Sequence, residues 1–118
     1  MLQGITIPNN GKALIINSHL PPKNIGLDSV LALDKNLQPI MTSGGYEMTS
    51  AGSDEMKKYI LEKQPLLGLF GHIHECRYVT TLGTTLCINP GSIAHTGKLQ
   101  GVVVGIEDKK ITSRQLTE

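Results

Sequence analysis

The alternation of apolar and charged positions is most regular between residues 53 and 70. Ser53 is a preferred N-cap residue, the acidic residues 54–55 suit the positive end of a helix dipole, and lysines follow further along. One helix face is formed by residues spaced i, i+3, i+4 and i+7: Met56, Tyr59, Ile60 and Lys63. We therefore predict a helix from Ser53 to about Lys63, ended by Pro65. The uncharged segment Leu66 to Phe70 is typical of a central strand covered on both faces.

The remaining strands are predicted from shorter apolar runs. Residues 12–17 form an aliphatic strand that must end before Pro21 and Pro22. Segments 77–82 and 84–88 are joined at Gly83 and predict a hairpin, and segments 99–106 and 111–116 predict a second one. Between residues 23 and 51 the pattern weakens, which favours loop with one helical turn at 27–33.

Two histidines follow the central strand within the turn Gly71-His72-Ile73-His74-Glu75. Gly71 lets the backbone turn sharply and approach an ion, and imidazole binds transition metals without carrying charge. Residues at i and i+2 of an extended chain point to opposite sides. His72 and His74 can therefore readily bind two neighbouring ions, one each. They can bind the same ion only if the loop twists. A single histidine is more often a structural residue, but a pair in a chain with 4 histidines favours a metal site.

The composition narrows the class of protein. A chain of 118 residues that is 39% hydrophobic supports a single domain, residues 1–118. A net charge of +1, 3% aromatic residues and the absence of Trp argue against nucleic-acid binding. No segment has the pattern of a secretory leader or a membrane span, so we expect a cytoplasmic protein. Cys76 and Cys87 are expected to be a reduced, buried pair on neighbouring strands.

Three segments together resemble the carboxy-terminal half of a calcineurin-like metallophosphoesterase. These are Ser18-His19-Leu20-Pro21-Pro22, the turn Gly71-His72-Ile73-His74, and Asn89-Pro90-Gly91-Ser92. The resemblance implies an α/β fold that is part of an αββα sandwich, with a strand-rich layer and one clear helix. It also implies a hydrolase that acts on phosphate esters, as a phosphatase or a phosphodiesterase.

The resemblance assigns metal ligands residue by residue. His19 and His72 bind one divalent ion, and His74 binds the other. Mn, Fe, Zn, Ni or Co would suit such ligands, and in this family the ion pair holds the phosphate and activates a water that attacks phosphorus. Glu75 is expected to orient a metal-binding histidine by accepting a hydrogen bond from its ring, rather than to bridge two ions.

The acidic half of the family site is missing from this chain. The family's Asp-x-His, Gly-Asp and Asn-His-Asp or Asn-His-Glu motifs are absent, and no Asp or Glu precedes His19. Two divalent ions repel strongly without a bridging anion. The other candidate carboxylates, Asp28, Asp34 and Glu47, are expected to be solvated on the surface. No catalytic residue is assigned.

We therefore interpret the chain as half of a dinuclear site, inactive when isolated. It would be a split, truncated or excised product that needs an amino-terminal partner half or self-association to cover the sheet face and edges left exposed. The alternative is a non-catalytic metal-binding or assembly module, in which His19, His72 and His74 hold one ion. A weaker third hypothesis is an inert remnant that folds and binds no metal.

Overall fold

A computed structural model describes residues 14–118. Within this range one α-helix, α1, spans Asp54–Lys63, and a short 3-10 helix spans Ala94–Thr96. The strands, in chain order, are β1 (Ile15–Asn17), β2 (Ser29–Leu31), β3 (Met41–Thr42), β4 (Gly45–Tyr46), β5 (Met48–Ser50), β6 (Leu67–Leu69), β7 (Tyr78–Leu82), β8 (Thr85–Asn89), β9 (Gly101–Glu107) and β10 (Lys110–Thr117).

The central sheet has the strand order β1-β6-β8-β7. Strands β1, β6 and β8 are parallel, and β7 runs antiparallel to β8. Gly68 of β6 pairs with Ile16 on one side and with Cys87 on the other. Since parallel strands end at the same edge of a sheet, the segments that follow β1, β6 and β8 are brought together.

Both faces of the sheet are covered, as the uncharged segment before Gly71 predicts, so the expectation of an exposed sheet face is wrong. On one face, Met56 and Ile60 of α1 belong to a buried cluster with Ile16 and Phe70. On the other face, the apolar side chains of the β9–β10 hairpin pack against a cluster of sheet residues: Leu67, Leu86 and Ile88. Apolar burial on both faces is the main stabilising contribution available to so small a sheet.

Local sequence signals account for α1 and for the two later hairpins, and these predictions are confirmed. The Ser53 side chain accepts a hydrogen bond from the Met56 backbone N–H at 3.0 Å, as an N-cap should. Gln64 ends the helix in a left-handed conformation. The β7–β8 turn has Gly83 at φ 61°. The β9–β10 turn instead places Asp108 and Lys109 at positive φ, 51° and 61°.

The segment from residue 29 to 50 differs from the prediction. Residues 27–33 form no helical turn; Ser29–Leu31 is instead the strand β2, which pairs antiparallel with β5. The strands β3 and β4 form a second small ribbon beside them. Tertiary pairing has overridden the weak local preference of this segment. Several large apolar side chains of this segment are exposed; the exposed fraction is 74% for Leu37 and 64% for Met41.

Two further expectations need comment. The predicted strand at residues 12–17 is seen as β1, and its residues 12–13 lie outside the described range. Both cysteines are free, as expected. The expectation that they are neighbours on the two strands of the hairpin is wrong. Thr80 is the β7 partner of Cys87, and Cys76 precedes β7 and is only half-buried. Burial raises the pKa of the Cys87 thiol to about 11, so it stays protonated at neutral pH.

The coarse fold class is confirmed as a small, strand-rich α/β domain with one α-helix within residues 14–118. Among these described residues, no helix has the length and apolar character needed to cross a membrane. The more specific αββα sandwich stays a prediction.

Gly52 lies where the loop after β1 meets the start of α1. A Cβ atom on Gly52 would lie 2.6 Å from the Pro21 carbonyl oxygen, 2.7 Å from that of Pro22 and 2.8 Å from Asp28 Oδ2. The Gly52 N–H donates to Asp28 Oδ2 at 2.7 Å. Two of the three obstacles are backbone atoms, so they cannot swing away as a flexible side chain would.

Gly52→Ala should therefore lower the free energy of unfolding by about 1–3 kcal/mol, the usual cost of overpacking a tight site. Gly44→Ala is the matched control, because a Cβ there meets nothing within 4 Å and Gly44 has no positive φ. Urea unfolding followed by circular dichroism measures both variants. Equal unfolding midpoints for the two variants would contradict the packing described for Gly52.

Candidate metal centre

The loops that follow β1 and β6 are joined by backbone hydrogen bonds that extend the sheet. Ser18 N–H donates to the Leu69 carbonyl at 3.0 Å, and Gly71 N–H donates to the His19 carbonyl at 3.0 Å. The parallel pairing thus continues past the last strand residues. As a result, His19 and His72 are held on adjacent backbone segments.

The two imidazoles meet directly, although 53 positions separate them in the chain. His19 Nε2 lies 2.9 Å from His72 Nδ1, and the rings meet edge to face with centroids 4.8 Å apart at 74°. Both side chains are exposed to solvent. In a metal-free chain this contact is a hydrogen bond in which one ring nitrogen donates and the other accepts.

The sharp turn after β6 is made by His72 itself. Its φ is 66°, in the left-handed region, whereas Gly71 has no positive φ and leaves ordinary van der Waals space around a Cβ. The expectation that Gly71 supplies the turn is therefore wrong. A left-handed residue with a side chain is strained by roughly 1–2 kcal/mol. Such strain must be offset by contacts around the turn.

His74 lies in the same turn but apart from this pair. Its side chain is exposed, and its carbonyl accepts a hydrogen bond from Ser92 N–H at 2.9 Å. Within residues 14–118 no three side chains of His, Cys, Asp or Glu converge as a group that could hold an ion. The structure therefore brings together His19 and His72 and does not add His74 to them.

The carboxylates occupy different environments. Asp34, Glu47 and Glu75 are exposed, and in the described part of the chain no hydrogen bond links Glu75 to a histidine. Asp28, expected on the surface, is instead fully buried. It accepts hydrogen bonds from the backbone N–H groups of Asn24 and Gly52. The carboxylate can be buried because these backbone N–H groups satisfy its oxygens. For the same reason, Asp28 is a poor candidate for a ligand that bridges two metal ions.

Asn89 contacts the histidine turn, and the sequence did not reveal these contacts. It ends β8, is 1% exposed, and points its amide at the carbonyls of the histidine turn. The only sequence signal was its place in the Asn-Pro-Gly-Ser segment. Gly91, two residues later, has φ 73°, and a Cβ there would lie 3.0 Å from the His74 carbonyl oxygen. The segment after β8 therefore packs closely against the turn.

The donor chemistry of His19 and His72 fits part of a metal site. Both are imidazoles, which bind transition metals without adding charge, and their facing nitrogens lie 2.9 Å apart. The two side chains could therefore serve as two ligands of one ion, and further ligands would have to come from elsewhere.

Comparisons with known proteins assign no family. No family model matches the chain, and neither the curated proteins nor the solved structures contain a significant match. The resemblance to metallophosphoesterases therefore stays a prediction from the motifs.

We expect His72→Gly to be more stable than His72→Ala by about 1 kcal/mol, because glycine adopts the left-handed conformation without strain. His95 is the matched control: it is exposed, lies in the 3-10 helix and has no positive φ. At this position alanine should be at least as stable as glycine. Chemical unfolding of the four variants measures the difference. An Ala variant at position 72 as stable as the Gly variant would contradict the strained turn.

Proposed function

We propose that this chain supplies the histidine half of a dinuclear metallophosphoesterase site, which hydrolyses phosphate esters once an amino-terminal half completes it. The observation that carries the proposal is the contact between His19 Nε2 and His72 Nδ1 at 2.9 Å. The two motif histidines that the family resemblance assigns to one ion are the two that meet. His74, assigned to the second ion, lies in the same turn outside this pair.

In this proposal the chain's own residues have separate tasks. His19 and His72 hold one ion through neutral nitrogens, and His74 contributes to its neighbour. The bound ions would supply electrophilic stabilisation of the phosphate group. Because the imidazoles bring no negative charge, carboxylates must balance the charge of two divalent ions. Asp28 is already bonded to backbone, and within residues 14–118 Glu75 joins no group of three potential ligands.

An additional half would also cover surfaces that this chain leaves open. Strand β1 is at the end of the described sheet, and Ile15 on it is 44% exposed. Leu37 and Met41 are exposed on the small ribbons formed by residues 29–50. An unpaired strand edge and exposed apolar side chains favour association. They support either an amino-terminal partner or self-association of the isolated chain.

The alternative of a three-histidine, single-ion module receives no support from the geometry. It requires His74 to join His19 and His72, and no such three-residue group exists in the part of the chain that the structure describes. We therefore favour the half-site.

Metal binding tests the ligand assignment. The isolated chain should bind one Mn²⁺ or Zn²⁺ ion through His19 and His72, and His72→Ala should weaken binding by at least about 100-fold. Loss of a direct ligand should exceed the effect of losing an outer contact, which is about 10–100-fold at most sites. The control His95→Ala removes an exposed imidazole from the 3-10 helix and should leave affinity unchanged. Titration calorimetry measures all three proteins. Equal affinity of the two variants would remove His72 from the site.

A second experiment tests the phosphoesterase assignment. The chain alone should not hydrolyse p-nitrophenyl phosphate or its bis-ester, but inorganic phosphate should bind the Mn²⁺-loaded chain more tightly than the metal-free chain. The difference should disappear in His72→Ala and persist in His95→Ala. Phosphate binding that ignores both metal and His72 would contradict the proposal. So would two bound ions with turnover by the chain alone, because the site would then need no partner half.

A further inference from the structure

The side chain of Asn89 contacts the histidine turn on both sides of His72. Its Nδ2 group donates to the Ile73 carbonyl at 3.0 Å and lies 3.4 Å from the Gly71 carbonyl. A third acceptor, the Leu27 carbonyl, lies 3.3 Å away. Its Oδ1 atom accepts from Gly91 N–H at 2.9 Å. Substitution of a buried amide with so many hydrogen bonds therefore destabilises the backbone that it holds.

We propose that Asn89 is a positioning residue for the metal site, which holds the left-handed turn so that His72 faces His19. The proposal rests on the metal-binding function proposed above and deepens it. The carbonyls of Gly71 and Ile73 bracket the strained residue, so fixing both restricts its φ and ψ. Rotation of this turn would carry the imidazole away from its partner.

The chemistry of the amide explains why Asn stands at this position. The NH₂ group offers donors to the surrounding carbonyls while the oxygen accepts from Gly91 N–H. The opposite amide orientation would place Oδ1 against three carbonyl oxygens, so the network fixes the orientation. Aspartate keeps the acceptor but loses the donors, and alanine loses both.

Asn89 also connects the turn to the loop that carries His19. Its third acceptor belongs to Leu27, the residue before the buried Asp28. The Asp28 carboxylate binds the N–H of Gly52, and Gly52 packs against the carbonyls of Pro21 and Pro22, just after His19. One hydrogen-bonded frame therefore supports both histidines.

The test compares Asn89→Ala and Asn89→Asp with Thr85→Val. Thr85 is buried at the other end of β8, where its hydroxyl donates to the Pro65 carbonyl at 2.6 Å. The control therefore removes a buried hydrogen bond from the same strand, far along it from the turn. We expect both Asn89 variants to bind Zn²⁺ about 10–100-fold more weakly, as for other residues that orient a ligand. Thr85→Val should change affinity less than twofold. Equal losses in all three variants, or unchanged affinity at Asn89, would overturn the proposal.

A second readout uses metal-free protein and separates this proposal from the proposed function. Imidazole ¹⁵N spectra should show the His19–His72 hydrogen bond in the wild type and in Thr85→Val, and its loss in Asn89→Ala. If the wild type binds no Zn²⁺, the proposed function fails, and this spectrum alone decides the role of Asn89. Retention of the hydrogen bond in Asn89→Ala would overturn that role.

If the Asn89 variants do not fold, hydrogen exchange of the wild type replaces them. If Asn89 stabilises the turn that binds Zn²⁺, then bound Zn²⁺ must stabilise the hydrogen bonds of Asn89 to the same extent. Zn²⁺ should therefore slow hydrogen exchange of the Asn89 side-chain amide by at least about tenfold. The backbone N–H of Leu86, near the other end of β8, is the internal control. Exchange at Asn89 that slows no more than at Leu86 would overturn the proposal.

Discussion

The parallel pairing of β1, β6 and β8 is the constraint on which the candidate site depends. These strands are short, three residues each in β1 and β6, yet their pairing brings three distant loops to one edge of the sheet. The pairing also extends beyond the strands, through the hydrogen bond from Gly71 N–H to the His19 carbonyl. This hydrogen bond keeps the loop after β1 beside the loop after β6 for the first residues of each loop. The sheet therefore determines both where the two loops begin and how close together their first residues lie.

At the sheet edge where His19 and His72 meet, no Asp or Glu of the described residues completes a group of three potential metal ligands. Imidazole nitrogens of His19 and His72 can accept an ion without adding charge. Among the residues that the structure describes, Asp28 is the one fully buried carboxylate, and it accepts hydrogen bonds from backbone N–H groups. A carboxylate can either stabilise the backbone or bind a metal ion. Here the carboxylate of Asp28 stabilises the backbone, and the imidazoles of His19 and His72 are exposed to solvent, where a ligand can reach them.

Sequence reasoning succeeded where the determining interactions are local. The helix α1 follows from Ser53 as a cap and from the spacing of Met56 and Ile60, which lie within two turns. The two hairpins follow from short turns between β-prone segments. The central position of β6 follows from the absence of charge between residues 66 and 70. In each case a few neighbouring residues carry the information.

The features that were missed depend on residues far apart in the chain. Asp28 is buried because Gly52, 24 positions away, offers it an N–H group. The strand β2 exists because β5 pairs with it, and the left-handed conformation of His72 is seen only in the folded backbone. The meeting of His19 and His72 was expected only from motif resemblance, because spacing along the chain cannot show that two loops share an edge.

The long chain separation of the two histidines has a consequence for the order of folding. The β7–β8 and β9–β10 hairpins close short loops, whereas β1 can join β6 only by closing a loop of about fifty residues, at a larger entropic cost. Contacts between residues so far apart in the chain form more slowly than hairpin contacts. The contact between the two imidazoles requires that β1 and β6 have paired, so its formation reports that the parallel sheet has been assembled.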